Sequence, residues 1–178
     1  MPHIGLFPFA YDDAGFELHL HRSDEQIADL RHRSRCVLEV DEVLGTIPSH
    51  WIDPDNAVFA TAYHKTVVFE CVATLHDDPD AIAAQQARLM QRYQPEARHR
   101  PLRADDPMYT GMLRLLVGAR LEITRTRVKF KLGQNRSLET RADLVERLRA
   151  RGAEVDRRTA DALAWTVDLG WTTRGRAS

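Results

Sequence analysis

The sequence predicts one α+β domain, a small antiparallel β-barrel with helices packed against it. Two observations favour this class: strand-like segments follow one another closely in the first half of the chain, and helices fall between and after them. The sequence lacks the regular alternation of strand and helix that would indicate a parallel doubly wound sheet. Its 178 residues and 43% hydrophobic content are typical of a single globular domain.

The first half of the chain is predicted to be rich in strands. Phe16, Leu18 and Leu20 alternate with polar residues, which is the pattern of a half-buried strand. Apolar and aromatic residues precede them, up to a turn signal at 12–15, so we expect a β-hairpin here. The predicted segments are a strand at 4–11, a strand at 16–21, a helix from Ser23 or Asp24 to about His32, a strand at 36–41, a loop at 45–55 and one long or two shorter strands at 56–75.

Two helices in the second half carry start and stop signals. Asp78 and Pro79 are typical of the N-cap and first residue of a helix, which would end before Pro95. Ser137 can cap a second helix, and Gly152 can end it. The remaining predicted segments are a loop at 95–107, a short helix at 108–116 that ends near Gly118, a strand at 119–132 and a helical turn from Arg157.

These segments predict one folded domain over residues 1–152, including the second capped helix, and a short helical or frayed tail over 153–178. No run of apolar residues is long enough for a membrane helix, and no secretory signal begins the chain, so we expect a cytoplasmic protein. Cys36 and Cys71 lack metal-type or disulfide-type spacing and are expected to be reduced core thiols.

Charge is unevenly distributed, although the net charge is only −1. Residues 1–87 contain 15 acidic and 5 basic residues, whereas residues 88–178 contain 11 acidic and 20 basic ones. A basic half can serve an anionic ligand or a nucleic acid, or it can attract the acidic half within one domain. Composition leaves these alternatives open.

The sequence contains no phosphate-binding loop, no zinc-protease helix motif and no hydrolase nucleophile elbow. His19 and His21 lie two residues apart on a predicted strand and therefore share one face. Three interpretations of this pair remain open: half of a metal site that needs further ligands, a polar wall facing a cofactor, or a face in solvent.

A line of cationic residues marks the last predicted strand. Arg127, Lys129 and Lys131 share one strand face, and the amides of Gln134 and Asn135 follow at the next turn. These groups could bind an anion such as the phosphate of a mononucleotide or the propionates of haem. The alternative is a solvent-exposed edge strand that its charges protect from pairing with another chain.

Two stretches of the second half resemble the C-terminal signature of the PaiB-type FMN-binding regulators. They are Asp106–Gly118, read as D-P-M-Y-T-G-M-L-R-L-L-V-G, and Lys129–Arg136, read as K-F-K-L-G-Q-N-R. Upstream, His19–Ser23 resembles the family's G-H-x-A-R-A-N segment, and Pro48–Trp51 resembles its P-S-W-Y turn. The family belongs to the flavin split-barrel superfamily that includes pyridoxamine 5'-phosphate oxidase. The resemblance, which covers about residues 2–151, implies an antiparallel split β-barrel that dimerises and binds its cofactor between subunits.

With FMN as the cofactor, the resemblance implies a set of binding residues. Arg22 and Ser23 would contact the phosphate, and four later residues would close the same site from the partner or a neighbouring strand. Trp51 and Tyr63 would form an apolar wall for the flavin ring. The cofactor-binding candidates are His19, His21, Arg22, Ser23, Trp51, Tyr63, Lys129, Lys131, Gln134 and Asn135.

Three hypotheses about function follow. The first is an FMN-binding homodimer resembling a PaiB-type transcriptional regulator or a flavin oxidoreductase, with no metal ion. The second is a haem enzyme, because haem-dependent piperazate synthases, which form an N–N bond, resemble the same family; haem b would then have His19 as its axial ligand. The third is a cofactor-free binding or regulatory module that contacts DNA, although no helix-turn-helix signal is present.

The homodimer is also expected from geometry. The chain opens at what would be the second strand of the barrel, so one edge of the sheet would have unpaired backbone amides. A second copy of the chain is the simplest cover for such an edge.

Overall fold

The structure, a computed structural model, describes residues 3–172. It contains a five-stranded antiparallel sheet and five α-helices, which confirms the predicted α+β class. In chain order the elements are β1 (Ala10–Asp12), β2 (Gly15–His21), α1 (Glu25–His32), β3 (Arg35–Ile47), β4 (Thr61–His76), α2 (Pro79–Tyr93), α3 (Pro107–Leu113), β5 (Leu116–Lys131), α4 (Leu138–Arg151) and α5 (Glu154–Asp168). Two short 3₁₀-helices, Ser49–Trp51 and Ala57–Phe59, lie between β3 and β4.

The strands are ordered β1-β2-β5-β4-β3. The predicted hairpin is present, because β1 pairs with β2 from Ala10 opposite Glu17 onward. Its second strand then pairs antiparallel with β5, from Gly15 opposite Glu122 to His21 opposite Leu116. Glu17, His19 and His21 of β2 share one face of the sheet, opposite Arg120, Gly118 and Leu116 of β5, and the apolar residues of β2 lie on the other face.

The chain packs as two compact units, and β3, β4 and β5 each contribute residues to both. Unit 1 contains the residues up to Leu38 and Phe69–Thr126. Its larger core joins apolar residues of β2, β4 and β5, including Leu18 and Val117. A smaller cluster forms around Ile82 of α2.

Unit 2 contains Glu39–Val68 and the residues from Arg127 onward. Its core is built mainly from α4 and α5, with Leu144 and Leu148 of α4 meeting Leu163 of α5. Tyr63 of β4 is buried in the same core. The helix α4 is capped by Ser137, as predicted, and Gly152 follows it in the left-handed conformation that favours glycine.

The structure differs from the predicted segments at several boundaries. The predicted strand at 4–11 forms a ladder only in β1. Just before β1, the rings of Phe9 and Phe16 meet edge to face, with centroids 5.3 Å apart. The strand β3 continues to Ile47. Gly118 lies inside β5 and not at a helix end. The helical turn expected from Arg157 is a four-turn helix, α5.

The division into a domain over 1–152 and a tail over 153–178 stays a prediction, and residues 1–2 and 173–178 lie outside the described part of the chain. In the described part, no helix is long and apolar enough to cross a membrane.

Candidate functional site

The ten predicted site residues fall into two groups. His19, His21, Arg22 and Ser23 belong to unit 1, and the other six belong to unit 2. Each group lies within one unit. The hydrogen bonds and burial of each residue show whether its polar atoms are available to a ligand.

The guanidinium of Arg22 is engaged within unit 1. Its Nη1 donates to a carboxylate oxygen of Asp77 at 2.7 Å, while its Nε and Nη2 donate to the carbonyl oxygens of Arg114 and Leu116 at 3.0 and 3.1 Å. The other carboxylate oxygen of Asp77 pairs with Arg31. Three of its five N–H groups are therefore engaged within the chain, and a phosphate bound to Arg22 would compete with the carboxylate of Asp77.

Ser23 and His21 hydrogen-bond to each other, with 2.7 Å between the Ser23 hydroxyl oxygen and Nδ1 of His21. Both residues are exposed at the end of β2. The pair is accessible to a ligand, and the Ser23 hydroxyl and Nδ1 of His21 already bind each other.

The predicted aromatic wall is largely enclosed within unit 2. Tyr63 is only 2% exposed, and burial raises the pKa of its hydroxyl to about 12. The half-buried indole of Trp51 has the guanidinium of Arg151 over its ring, 4.9 Å from the centroid. Tyr63 therefore has no open ring face for a flavin, and one face of Trp51 is covered.

Gln134 closes the turn that follows β5. Its side-chain oxygen accepts from the amide of Leu132, and its side-chain nitrogen donates to the carbonyl of Phe130, both at 2.8 Å. Because the residue is 7% exposed, this side chain stabilises the loop. The sequence pattern alone could not separate this role from ligand binding.

Lys129, Lys131 and Asn135 are exposed in unit 2. The two lysines project from one face of β5, about 6–7 Å apart as expected for residues two apart on a strand. Ammonium groups and a side-chain amide are the kinds of donor that bind phosphate oxygens.

An exposed aromatic cluster in unit 2 was not found from the sequence. The rings of Trp165 and Trp171 meet edge to face at 5.7 Å, and Trp171 also contacts Phe130 at 6.5 Å. Trp165 is 45% exposed and lines a cleft of about 340 Å³. The other residues lining this cleft are Glu42, Lys65, Arg158, Asp161 and Ala162. The amphipathic pattern of α5 is the sequence signal for this cluster, and it lies in the segment predicted to be a helical or frayed tail.

A second cleft, of about 460 Å³, lies in unit 1 against β1, β2 and α2. Its arginines are largely paired within the cleft. Arg88 forms two hydrogen bonds with Glu17 at 2.6 and 2.9 Å, and Arg92 lies over the ring of Tyr11 at 4.4 Å. These contacts attach α2 to the strands and provide no open cationic site.

His19 lies on the face of the sheet covered by α2, beside His76 and Gln85. Burial lowers the pKa of the His19 imidazole, and its Nδ1 is buried without a hydrogen-bond partner. An axial haem ligand must present a nitrogen to a space large enough for the macrocycle, whereas this atom is buried. The arrangement therefore does not fit haem ligation through Nδ1. Within residues 3–172, no three His, Cys, Asp or Glu side chains cluster as a metal site.

Comparison with solved structures defines the class of the fold. The flavocytochrome Anf3 from Azotobacter vinelandii is similar with a TM-score of 0.56 and 18% identity over 74% of this chain and 56% of that one. The FAD and heme binding protein from Mycobacterium smegmatis gives a TM-score of 0.56 and 12% identity over 71% of this chain and 58% of that one. The conserved hypothetical protein Rv2991 from Mycobacterium tuberculosis gives a TM-score of 0.50 and 21% identity over 73% of this chain and 69% of that one. The fold is the predicted split barrel, and the chain spans little more than half the length of the first two proteins.

The family described as "Putative FMN-binding domain" matches residues 1–125, and the chain belongs to this family. The matched segment includes the candidates from His19 to Tyr63 and ends before Lys129. No curated protein matches the chain. The narrower PaiB-type assignment stays a prediction.

Proposed function

We propose that this protein binds FMN and that Lys129, Lys131 and Asn135 hold the FMN phosphate. The observation that carries the proposal is the pair of exposed lysines on one face of β5, in a chain of the FMN-binding domain family. A phosphate carries nearly two negative charges near neutral pH, and hydrogen bonds between charged groups are stronger than neutral ones. Arg22 and Gln134 are left out of this site because their polar atoms bind within the chain.

Bound FMN would supply hydride or electron transfer. The chain's own part would be to anchor the phosphate and to limit the access of water to the ring. Among the predicted activities we propose a flavin oxidoreductase, with a PaiB-type regulator as the alternative. DNA binding would distinguish them, since a regulator should bind duplex DNA with an affinity that falls steeply as salt increases.

We further propose a homodimer in which the second copy completes the site. From Arg127 to Lys129, β5 is exposed at consecutive residues, which project to both faces of the strand. Val128 is 59% exposed among them, although a valine in a strand usually packs against a neighbour. A second subunit over this segment would cover Val128 and could supply the ring contacts that the enclosed Tyr63 does not.

FMN titration tests the phosphate assignment. Lys129→Ala and Lys131→Ala should each weaken FMN binding by roughly 10- to 100-fold, the effect of losing one charged hydrogen bond. Arg98→Ala is the matched control, because it removes an exposed cation from a loop of unit 1 and should leave the affinity unchanged. Quenching of flavin fluorescence measures the binding. Unchanged affinity in both lysine variants would show that the phosphate binds elsewhere.

Two further measurements test the cofactor and the assembly. The purified protein should show the paired near-ultraviolet and blue bands of flavin. A Soret band would instead support haem, and a colourless protein that takes up neither cofactor would support a binding module. Sedimentation at micromolar concentration should give two chains, and a monomer that still binds FMN would contradict the shared site.

A further inference from the structure

Three polar side chains of unit 1 meet over the backbone of Gly118. A Cβ built on this glycine would lie 2.6 Å from Oε1 of Gln85 and closer still to Cε1 and Nε2 of His76. His19 is directly opposite Gly118 in the β2–β5 register, so its side chain leaves the sheet on the same face, with its Cβ about 4.5–5.5 Å from that point. Two imidazoles and one amide oxygen are therefore neighbours in a single small space.

Each of these side chains has a buried polar atom without a hydrogen-bond partner. The atoms are Nδ1 of His19, Nδ1 of His76 and Oε1 of Gln85. Polar atoms in a protein interior nearly always have a partner, and an exception points to a water or an ion. The three exceptions belong to neighbouring side chains, with the Cε1–Nε2 edge of His76 and Oε1 of Gln85 both at Gly118, and one shared bound species is the simplest explanation.

The orientation of the Gln85 amide is determined by its other contacts. Its Nε2 donates to the carbonyl oxygens of Leu18 and Ala119, the latter at 3.3 Å. A carbonyl oxygen accepts only from a donor, so the nitrogen must face these two strands and the oxygen must face Gly118. The side chain is 2% exposed, which leaves it little freedom to turn away.

We propose that this cluster is a binding site for one divalent late-transition-metal ion, with Nδ1 of His19, Nδ1 of His76 and Oε1 of Gln85 as its protein ligands. Neutral imidazoles are preferred ligands of Zn²⁺, Cu²⁺ and Ni²⁺, and water can complete the coordination. Glu17, on the same face of β2, is held by Arg88 and does not join the ligand set.

An ordered water molecule is the competing occupant. It can donate to two of the three atoms and accept from the third, if one imidazole carries its proton on Nδ1. A water satisfies the hydrogen bonds without any affinity for metal, so direct measurement of metal binding separates the two occupants.

The first experiment is a Zn²⁺ titration of the full-length, tag-free protein after removal of bound metal, in competition with a chromophoric chelator. We expect one ion per chain and an affinity at least tenfold weaker in His19→Ala and in His76→Ala. The control His32→Ala removes an exposed histidine at the end of α1 and should bind as the wild type does. No saturable binding by the wild-type protein would overturn the proposal.

Gly118→Ala is a second test, because its new methyl group would occupy the position of the His76 ring and displace that ligand. Circular dichroism shows whether each variant folds. A folded Gly118→Ala protein that binds Zn²⁺ as the wild type does would contradict the geometry.

A third measurement needs no variant. Electron paramagnetic resonance of the wild-type protein with one equivalent of Cu²⁺ should show hyperfine coupling to two imidazole nitrogens. A spectrum without nitrogen coupling would overturn the ligand assignment. Because the test uses no flavin, its outcome is independent of the FMN proposal, and binding should be the same with and without FMN.

Discussion

The guanidinium of Arg151 holds the carboxylate of Asp156 by two hydrogen bonds, from Nη2 to Oδ1 at 2.5 Å and from Nε to Oδ2 at 2.7 Å. Asp156 is fully buried and also accepts from the amide of Ala153 at the start of α5. Nη2 of Arg151 donates in addition to the carbonyl of Thr46 in β3. One ion pair thus joins the end of α4 to the start of α5 and to a strand within unit 2.

We predict that Asp156→Asn lowers the free energy of unfolding by about 2 kcal/mol, because a buried hydrogen-bonded charge pair becomes a weaker neutral contact. Urea denaturation followed by circular dichroism measures the change. Asp168→Asn at the exposed end of α5 is the control and should change stability by less than about 0.5 kcal/mol. Equal effects of the two substitutions would show that the ion pair contributes little.

The same pair predicts a dependence of stability on acid. The hydrogen bonds from Arg151 hold the pKa of the Asp156 carboxyl below its usual value, so the folded state binds this proton less readily than the unfolded state. The stabilisation is complete above about pH 5 and is lost as the pH falls through about 4 and below. The stability difference between wild type and Asp156→Asn should shrink over that range, and a constant difference down to pH 3 would contradict the assignment.

Arg141 of α4 is fully buried, and only its Nη1 has partners, the carbonyl and hydroxyl oxygens of Thr166 at 3.2 and 2.7 Å. Its Nε and Nη2 are buried without partners, and burial lowers the pKa of the guanidinium. We predict that Arg141→Met leaves the free energy of unfolding unchanged or raises it by about 1 kcal/mol or more, since a partly satisfied buried charge is replaced by an apolar side chain of similar volume.

The measurement for Arg141→Met is the urea midpoint. Arg147→Met on the exposed face of α4 removes a surface ion pair with Asp143 and should shift stability by about 0.5 kcal/mol or less. A loss of several kcal/mol in Arg141→Met alone would mean that the bonds to Thr166 outweigh the cost of burying the charge.

The two cysteines of unit 1 are free, Cys71 buried in its core and Cys36 partly buried against it. Burial, reinforced by the neighbouring Cys71 thiol, raises the pKa of Cys36 to about 11. At pH 8 only about one Cys36 thiol in a thousand is ionised, so iodoacetamide should modify it slowly in the native protein and rapidly in denaturant. Mass spectrometry after timed quenching measures both rates. Similar rates in the two states would contradict the burial of Cys36.

Much of the fold could be predicted from local signals. Asp78 and Pro79 begin α2, and Ser137 begins α4, because capping depends on atoms within a few residues of one another. The alternation of β2 predicted its buried and polar faces for the same reason. The exposure of Lys129 and Lys131 also agrees with their pattern on β5.

The candidate site was predicted less completely. Arg22 has the residue type of a phosphate ligand, but its partner is Asp77, 55 residues away. Gln134 belongs to a family-like motif, yet both ends of its amide bind the loop backbone. Sequence spacing shows which groups could bind a ligand, and the chain's own partners decide which of them remain accessible.

Gly118 shows where local signals in this chain end and contacts between distant residues begin. Composition, alternation and capping residues determined the α+β class, the hairpin and the two capped helices, because these depend on contacts between residues near in sequence. The sequence pattern placed Gly118 at a helix end, whereas the structure places it in β5 beneath His76, where a side chain would have no room. That contact joins residues 42 positions apart. Its formation depends on strand register and helix packing, which are set when the whole chain buries its apolar surface.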